Sequence, residues 1–175
     1  MQQLIIAVLC LMATPGLQQV SEWQQFSSSE GKFSARMPSD PRISSPVTNT
    51  KEGSLLTHMV SSTDDNLNEF MVSWTEYQSA SFEQRGTDAT FNKMRDALVA
   101  ANQGKLLDES VISAGGHPAR ALKFSTTAGR IIAVRFYFVG NRFYQVMAQT
   151  KPENTDSGER FFESFKFMLI LLPFL

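Results

Sequence analysis

Apolar and polar positions alternate with period two along most of the chain after residue 31, interrupted by one long stretch of helical periodicity. In GKFSARMP, Phe33, Ala35 and Met37 recur at every second position, which predicts a strand over Gly31 to Met37 that Pro38 and Pro41 end. Leu56, His58 and Val60 share one face of the next strand, with Leu55, Thr57 and Met59 on the other. The polar run Ser61 to Asn68, centred on Asp64, Asp65 and Asn66, predicts a hairpin loop into EFMVSWTEY. There Phe70, Val72 and Trp74 face one way and are expected in the core. Further strands are expected at Lys105 to Ala114, Ala119 to Thr126 and Arg130 to Val139, with Gly115 to Pro118 as the turn between the first two. Gly140 and Asn141 form a two-residue hairpin signal into Arg142 to Thr150. On one side of this ribbon the pattern puts Ile132, Val134, Phe136 and Phe138, continued by Tyr144, Val146 and Ala148. Arg135, Tyr137, Phe143 and Gln145 are left on a more polar side, facing solvent or a thin cover.

Phe91, Met94, Leu98 and Ala101 fall at spacings of three and four and predict an amphipathic helix from Ala89 to Gln103, capped by Asp88 and ended by Gly104. A second helix is expected over Ser157 to Phe167, with Asp156 and Glu159 spaced as an acidic capping box and Phe161, Phe162 and Phe165 on one side. Antiparallel hairpins with one long helix and a terminal helix predict an α+β fold, a layered α/β/α domain on a mostly antiparallel sheet of about five to seven strands. No Pro/Gly-rich linker divides the chain after residue 30 and no internal repeat is visible, so residues 21–167 are expected to form one domain.

The two ends differ from this body. Residues 1–20 carry no charge, and Leu4 to Ala13 form an unbroken apolar run, too short for a mature membrane span but of the length of a secretory h-region. Thr14 and Gly16 supply small residues for cleavage after Gly16, whereas a basic n-region is lacking, as a weak signal or a start assigned too far downstream would leave it. The rival readings are lipidation at Cys10, against which Leu9 is too large, and a buried N-terminal element of a cytosolic protein. The run Phe165 to Leu175, with Lys166 and Pro173 in it, is likewise too short to span. It is expected to dock as far as Phe167 and to leave residues 168–175 as an apolar tail, with peripheral membrane contact or self-association as the rival.

At 175 residues the chain can bury a core without disulfides, and its single Cys excludes an intrachain disulfide framework. Sixteen basic against seventeen acidic side chains, net −1, give no broadly basic nucleic-acid surface. Arg130, Arg135 and Arg142 alternate with aromatics as a stacking surface would, yet aromatics favour strands in any case. With one Cys and two His a Cys/His zinc site lacks ligands. Asp64, Asp65 and Asn66 lack EF-hand spacing and read as a solvated turn in preference to a weak cation site. Neither GxSxG nor a glycine-rich phosphate cradle occurs. His58 is expected as a satisfied strand residue and His117 as a turn residue, not as catalytic bases.

Five pieces together resemble the PsbP-like superfamily, here in the form of a small exported bacterial protein. They are Trp23 with Phe26; EGKFS from Glu30 with Met37 and Pro38; Gly116 to Ala119; RFYFVGNRFYQV from Arg135 to Val146; and FFESFK from Phe161 to Lys166. The resemblance covers about residues 23–167 and implies an antiparallel sheet covered by helices on both faces. It also implies a noncatalytic binding, assembly or envelope-associated role, and brings no catalytic residues, cofactor or metal site. The expected partner is a protein or small ligand of the cell envelope, not nucleic acid. A hydrolase whose site is not visible in the sequence, and a purely structural or assembly factor, are the alternatives.

Overall fold

Alternating apolar positions become strands where each finds a neighbour to pair with and a layer to bury against. The computed structural model describes residues 22–50, 53–77 and 87–168. Among these, the strands are β1 (Gln24–Ser28), β2 (Phe33–Met37), β3 (Arg42–Ser44), β4 (Val47–Thr50), β5 (Gly53–Thr63), β6 (Glu69–Glu76), β7 (Lys105–Ala114), β8 (His117–Ser125), β9 (Ile131–Val139), β10 (Arg142–Thr150) and β11 (Lys166–Phe167). The helices are α1 (Thr87–Ala101) and α2 (Thr155–Ser164), the latter entered through a 3-10 turn at Pro152–Asn154. The main sheet runs β3-β5-β6-β10-β9-β8-β7 with β4 added on β5, and β1-β2-β11 form a separate three-stranded sheet. All pairings in both sheets are antiparallel.

The main sheet carries an apolar cluster on each face, one under the N-terminal segment and α2 and the other under α1. On one face Val60, Phe70, Val72, Trp74, Tyr144, Val146 and Ala148 meet Trp23, Phe33, Ala35 and Met37 of the N-terminal segment and Phe161, Phe162 and Phe165 around α2. Trp23 lies edge-on to Phe70 at 4.7 Å, and Phe161 lies 5.4 Å from Phe70. On the other face Phe91 of α1 is buried among Leu122, Val134, Phe136, Phe138 and Phe143. The α/β/α layering and the antiparallel sheet are therefore as expected, and so is the shared burial of Phe70, Val72 and Trp74.

Several finer expectations are corrected. Gly140 takes φ 60°, as the first central residue of a type II′ turn must, and the register sets Phe143 opposite Phe138 and Tyr144 opposite Tyr137. Residues directly opposite share a face, so Tyr144, Val146 and Ala148 lie with Tyr137, not with Phe136 and Phe138. Tyr137 and Phe143, expected together on one more polar side, lie on opposite faces and are both buried, at 3% and 7% exposed. The main sheet has eight strands, one more than the expected upper limit, and β1, β3 and β4 were not foreseen. Strand β5 runs on to Thr63, which shortens the loop before β6. Helix α1 begins at Thr87, so Asp88 lies inside its first turn, and Ala101 at its end is exposed.

At the end of α1 it is Gln103, with φ 47°, that takes the left-handed conformation. Gly104 is required for space, because a Cβ there would lie 2.7 Å from the Phe124 ring. The acidic capping box does not form: Asn154 holds the N-cap of α2 without a side-chain bond, and Asp156 lies in the first turn. That helix stops at Ser164, since Phe165 is extended with ψ 127°, and the chain continues as β11. The terminal segment thus docks through Phe167, paired with Phe33, and the Met168 amide donates to the Lys32 carbonyl at 2.8 Å. No described helix is long and apolar enough to cross a membrane. The N-terminal apolar run with Cys10, Thr14 and Gly16, and residues 169–175 of the tail, lie outside the described residues.

Candidate functional site

His58, on β5, stacks on Trp74 with ring centroids 4.8 Å apart and planes 11° from parallel. Its Nδ1 lies 3.1 Å from Ser45 Oγ and 3.4 Å from Glu30 Oε1. A nucleophile, a base and an acid are thus gathered, but a relay needs hydroxyl and carboxylate on opposite ring nitrogens. Here both crowd the same one, so the cluster ties the segment before β4 and the β1–β2 turn to β5. His117 opens β8 opposite Ala114 and meets Phe167 edge-on at 6.1 Å; the turn itself is Gly115 and Gly116, with φ 60° and 80°.

The acidic loop is also structural. Both Asp64 carboxylate oxygens are used: Oδ1 accepts from the Asn66 and Asn68 amides and Oδ2 from Asn68 Nδ2, each at 2.9 Å. The three arginines read as a stacking pattern have intramolecular partners. Arg130 donates to the Leu67 and Gln149 carbonyls. Arg135 lies 4.5 Å over the Phe162 ring and 3.5 Å from Glu159. Arg142 pairs with Glu76 and donates to the Glu30 carbonyl at 2.7 Å.

A charged cluster that sequence reasoning missed joins α1 to the sheet. Arg120 of β8, only 8% exposed, donates to Glu109 Oε1 at 2.7 Å, Asn92 Oδ1 at 2.6 Å and Asp88 Oδ1 at 2.8 Å, and lies over the Phe91 ring. Arg95 holds the other Glu109 oxygen at 2.8 Å. Burial opposes the Glu109 charge, yet the hydrogen bonds from Arg95 and Arg120 outweigh it and keep the carboxyl below its ordinary range. Residues 88, 92 and 95 recur at helical spacing, a signal that was legible; their convergence on Arg120 depends on long-range packing and was not. Ion pairing of this kind orients a helix, and it occupies both Glu109 oxygens.

A different arrangement occurs on the α1 side of the sheet, over β3, β5, β6 and β10. A groove of about 400 Å³ is lined by Met59, Met71 and Met147 with Ser61 and Ser62, and rimmed by Ser39, Asp40, Arg42, Thr63 and Glu69. Register places its members: Met71 is opposite both Ser61 and Met147, and Met59 is opposite Ser73. The Ser39 hydroxyl, 2.9 Å from Ser62 Oγ and donating to the Thr63 carbonyl at 3.0 Å, fixes one wall. Gln145 Nε2 lies 3.8 Å from the Met147 sulfur. The lining offers soft apolar contact below and hydroxyls with both signs of charge above, which suits binding better than proton transfer. Among the described residues no three His, Cys, Asp or Glu side chains come together as a metal-holding group.

No protein-family model matches this sequence, and comparison with curated proteins gives no match. Solved structures do show similarity. The solution structure of cyanobacterial PsbP (CyanoP) from Synechocystis sp. PCC 6803 superposes with TM-score 0.55 at 14% identity, covering 90% of this chain and 98% of that one. A Pseudomonas aeruginosa protein of unknown function gives TM-score 0.40 at 15% identity, over 66% of this chain and 88% of that one. A Bacteroides thetaiotaomicron structure gives 0.43 at 14% identity over 87% of this chain, which spans only 51% of that longer one. The first of these supports a PsbP-like fold for the chain. At these identities the likeness is one of fold alone.

Proposed function

We propose that this PsbP-like domain is a noncatalytic binding module, exported or envelope-associated, that engages a protein or small ligand of the cell envelope through the Met-floored groove over β3, β5, β6 and β10. One observation carries the reading. The candidate reactive groups that the sequence offered, His58 and the Asp64 loop, are spent on holding the fold. The groove, by contrast, has one wall held by the Ser39 and Ser62 hydroxyls and presents three thioethers on its floor with Asp40, Arg42 and Glu69 at its rim. The uncharged apolar start supports the export part of the proposal.

A photo-crosslinking amino acid at Thr63, which lines the groove and is exposed, tests the binding face directly. Val111 on edge strand β7, 80% exposed, serves as the control position. In intact cells, a discrete adduct from position 63 and none from position 111 is the expected result. Equal labelling at the two positions, or none at either, counts against the groove. Intact-mass analysis of the protein from the periplasmic or membrane fraction tests export, with loss of the segment through Gly16 expected; a cytosolic product retaining Leu4 to Ala13 would refute it.

A further inference from the structure

The small sheet β1-β2-β11 has one face in the core and the other in solvent. Phe33, Ala35 and Met37 of β2 are buried on the inner face. Ser34 and Arg36 alternate with them on the outer face, and register sets Ser27 and Lys166 opposite Ser34 and Gln25 opposite Arg36. Arg36 and Lys166 are exposed there, and Lys32 is exposed in the turn that leads into β2. The three strands carry no Asp or Glu, and none of these three cations has an ion-pair partner among the described residues. Glu30, in the same turn as Lys32, aims its carboxylate at His58. Helix α2 adjoins this face, with the Arg36 amide donating to Ser164 Oγ at 2.9 Å, and exposes Asp156, Glu159 and Glu163, so the positive surface stops at that boundary.

An apolar segment continues from the edge of this surface. The Met168 amide is held at 2.8 Å by the Lys32 carbonyl, and the seven residues that follow, LILLPFL at 169–175, contain no polar side chain. Seven residues are too few to span a bilayer but enough to enter its interface. From this we infer that the domain attaches to the surface of an anionic phospholipid bilayer, with residues 169–175 entering the interface and Lys32, Arg36 and Lys166 facing the lipid phosphates. A short apolar segment alone binds marginally and reversibly, and a few cations alone bind weakly and are screened by salt; acting on one surface, the two reinforce each other. This contact is separate from the groove. The groove lies on the α1 side of the main sheet and the small sheet covers the opposite side, so attachment leaves the groove open to a partner in the envelope.

Co-sedimentation with vesicles tests the contact, using an equal mixture of phosphatidylcholine and phosphatidylglycerol against phosphatidylcholine alone. The chain is used as recovered from the cell, with the same first residue in every variant, so that the N-terminal segment contributes equally throughout. The parent is expected to bind the anionic vesicles, to bind the neutral ones far more weakly, and to be released by high salt. Each cation at an anionic surface is worth roughly fivefold in affinity, so Lys32→Gln, Arg36→Gln and Lys166→Gln combined are expected to weaken binding by on the order of a hundredfold. Ending the chain after Met168 is expected to weaken it by roughly tenfold or more. Unchanged circular dichroism shows that the variants fold; should the shortened chain unfold, Leu171→Ser with Phe174→Ser takes its place, with the same loss expected.

No binding to either vesicle, equal binding to both, or undiminished binding in the folded charge variant or in the folded tail variant would each overturn the membrane contact. Retention on heparin that is indifferent to the tail variants would make the face a general polyanion site and overturn it as well. The two readings fail separately. Crosslinking at position 63 without vesicle binding removes the membrane contact and leaves the groove. Vesicle binding that needs both the cations and the tail, without a crosslink, removes the groove and leaves the membrane contact.

Discussion

Replacing Arg120 provides a stringent test of how α1 is held on the sheet. Its guanidinium is nearly sealed, with the side chain 9% exposed, and makes bonds of unequal value. Glu109 is 23% exposed, so this contact lies in the range of about 1.5–3 kcal/mol for a hydrogen bond to a charged group, less what Arg95 retains on the other oxygen. Asp88 is 84% exposed, and its pair is expected to add at most a few tenths of a kcal/mol. The stem over Phe91 adds packing, so Arg120→Ala is expected to cost about 2–4 kcal/mol.

Arg120→Met keeps most of the stem and removes the buried Nε, which has no hydrogen-bond partner, so its cost is expected to be about half as large. Urea unfolding at pH 7, followed by tryptophan fluorescence and circular dichroism with unchanged m, measures both variants. The pH dependence has a definite sign. The Glu109 pKa is lowered in the folded state, so its stabilisation is complete above the unfolded-state value and drains away as pH falls through the folded-state value. The gap between the parent and Arg120→Met is expected to narrow as the pH drops below the ordinary value of 4.5. An Ala variant within about 0.5 kcal/mol of the parent, or a Met variant no better than Ala, would refute the account.

Two further substitutions probe the cores on either side of the sheet. Trp74→Ala and Phe136→Ala, at residues 3% and 0% exposed, are each expected to lose about 3–5 kcal/mol in urea unfolding, and a loss below about 1 kcal/mol would mean that the faces are misassigned. Gly104→Ala brings a methyl group to within 2.7 Å of the Phe124 ring, and is expected to lower stability by about 1–3 kcal/mol in a thermal melt even though alanine is the stiffer residue in the unfolded chain.

What the sequence disclosed follows from how burial marks it. A clean alternation survives where only one face of a strand is strongly apolar, so Phe33, Ala35 and Met37 could be read directly, and so could Phe70, Val72 and Trp74 in β6, whose other face is buried too but carries Ser73 and Thr75. In β9 and β10 both faces are buried, so the alternation no longer says which face is which, and the two-residue turn sets the relation between the strands. β3 and β4 left little trace because they lie at the sheet edge with Ile43 and Val47 largely exposed, so no buried stripe was written into them. The end of α2 was ambiguous for another reason. Phe161 and Phe165 fit a helix and Phe165 and Phe167 fit a strand, and pairing of Phe167 with Phe33 decides in favour of the strand. The groove was the least legible part: Met59, Met71 and Met147 lie far apart in the chain, and only the register of three strands brings them to one floor.

The α1 side of the sheet is itself divided, and the division bears on function. Under α1, strands β8 to β10 carry Leu122, Val134, Phe136, Phe138 and Phe143, which give a helix a broad apolar bed. Across β10 the same side changes character: β5 and β6 contribute Thr57, Met59 and Ser61, then Met71, Ser73 and Thr75, with the Thr57 and Thr75 hydroxyls 2.8 Å apart. These two hydroxyls are each other's partner across the ladder, while α1 turns its own polar groups toward Arg120 and Glu109 at the other end of the sheet. Met147 marks the border, since it packs against the α1 cluster and also lines the groove. The groove therefore begins where the apolar bed of α1 ends.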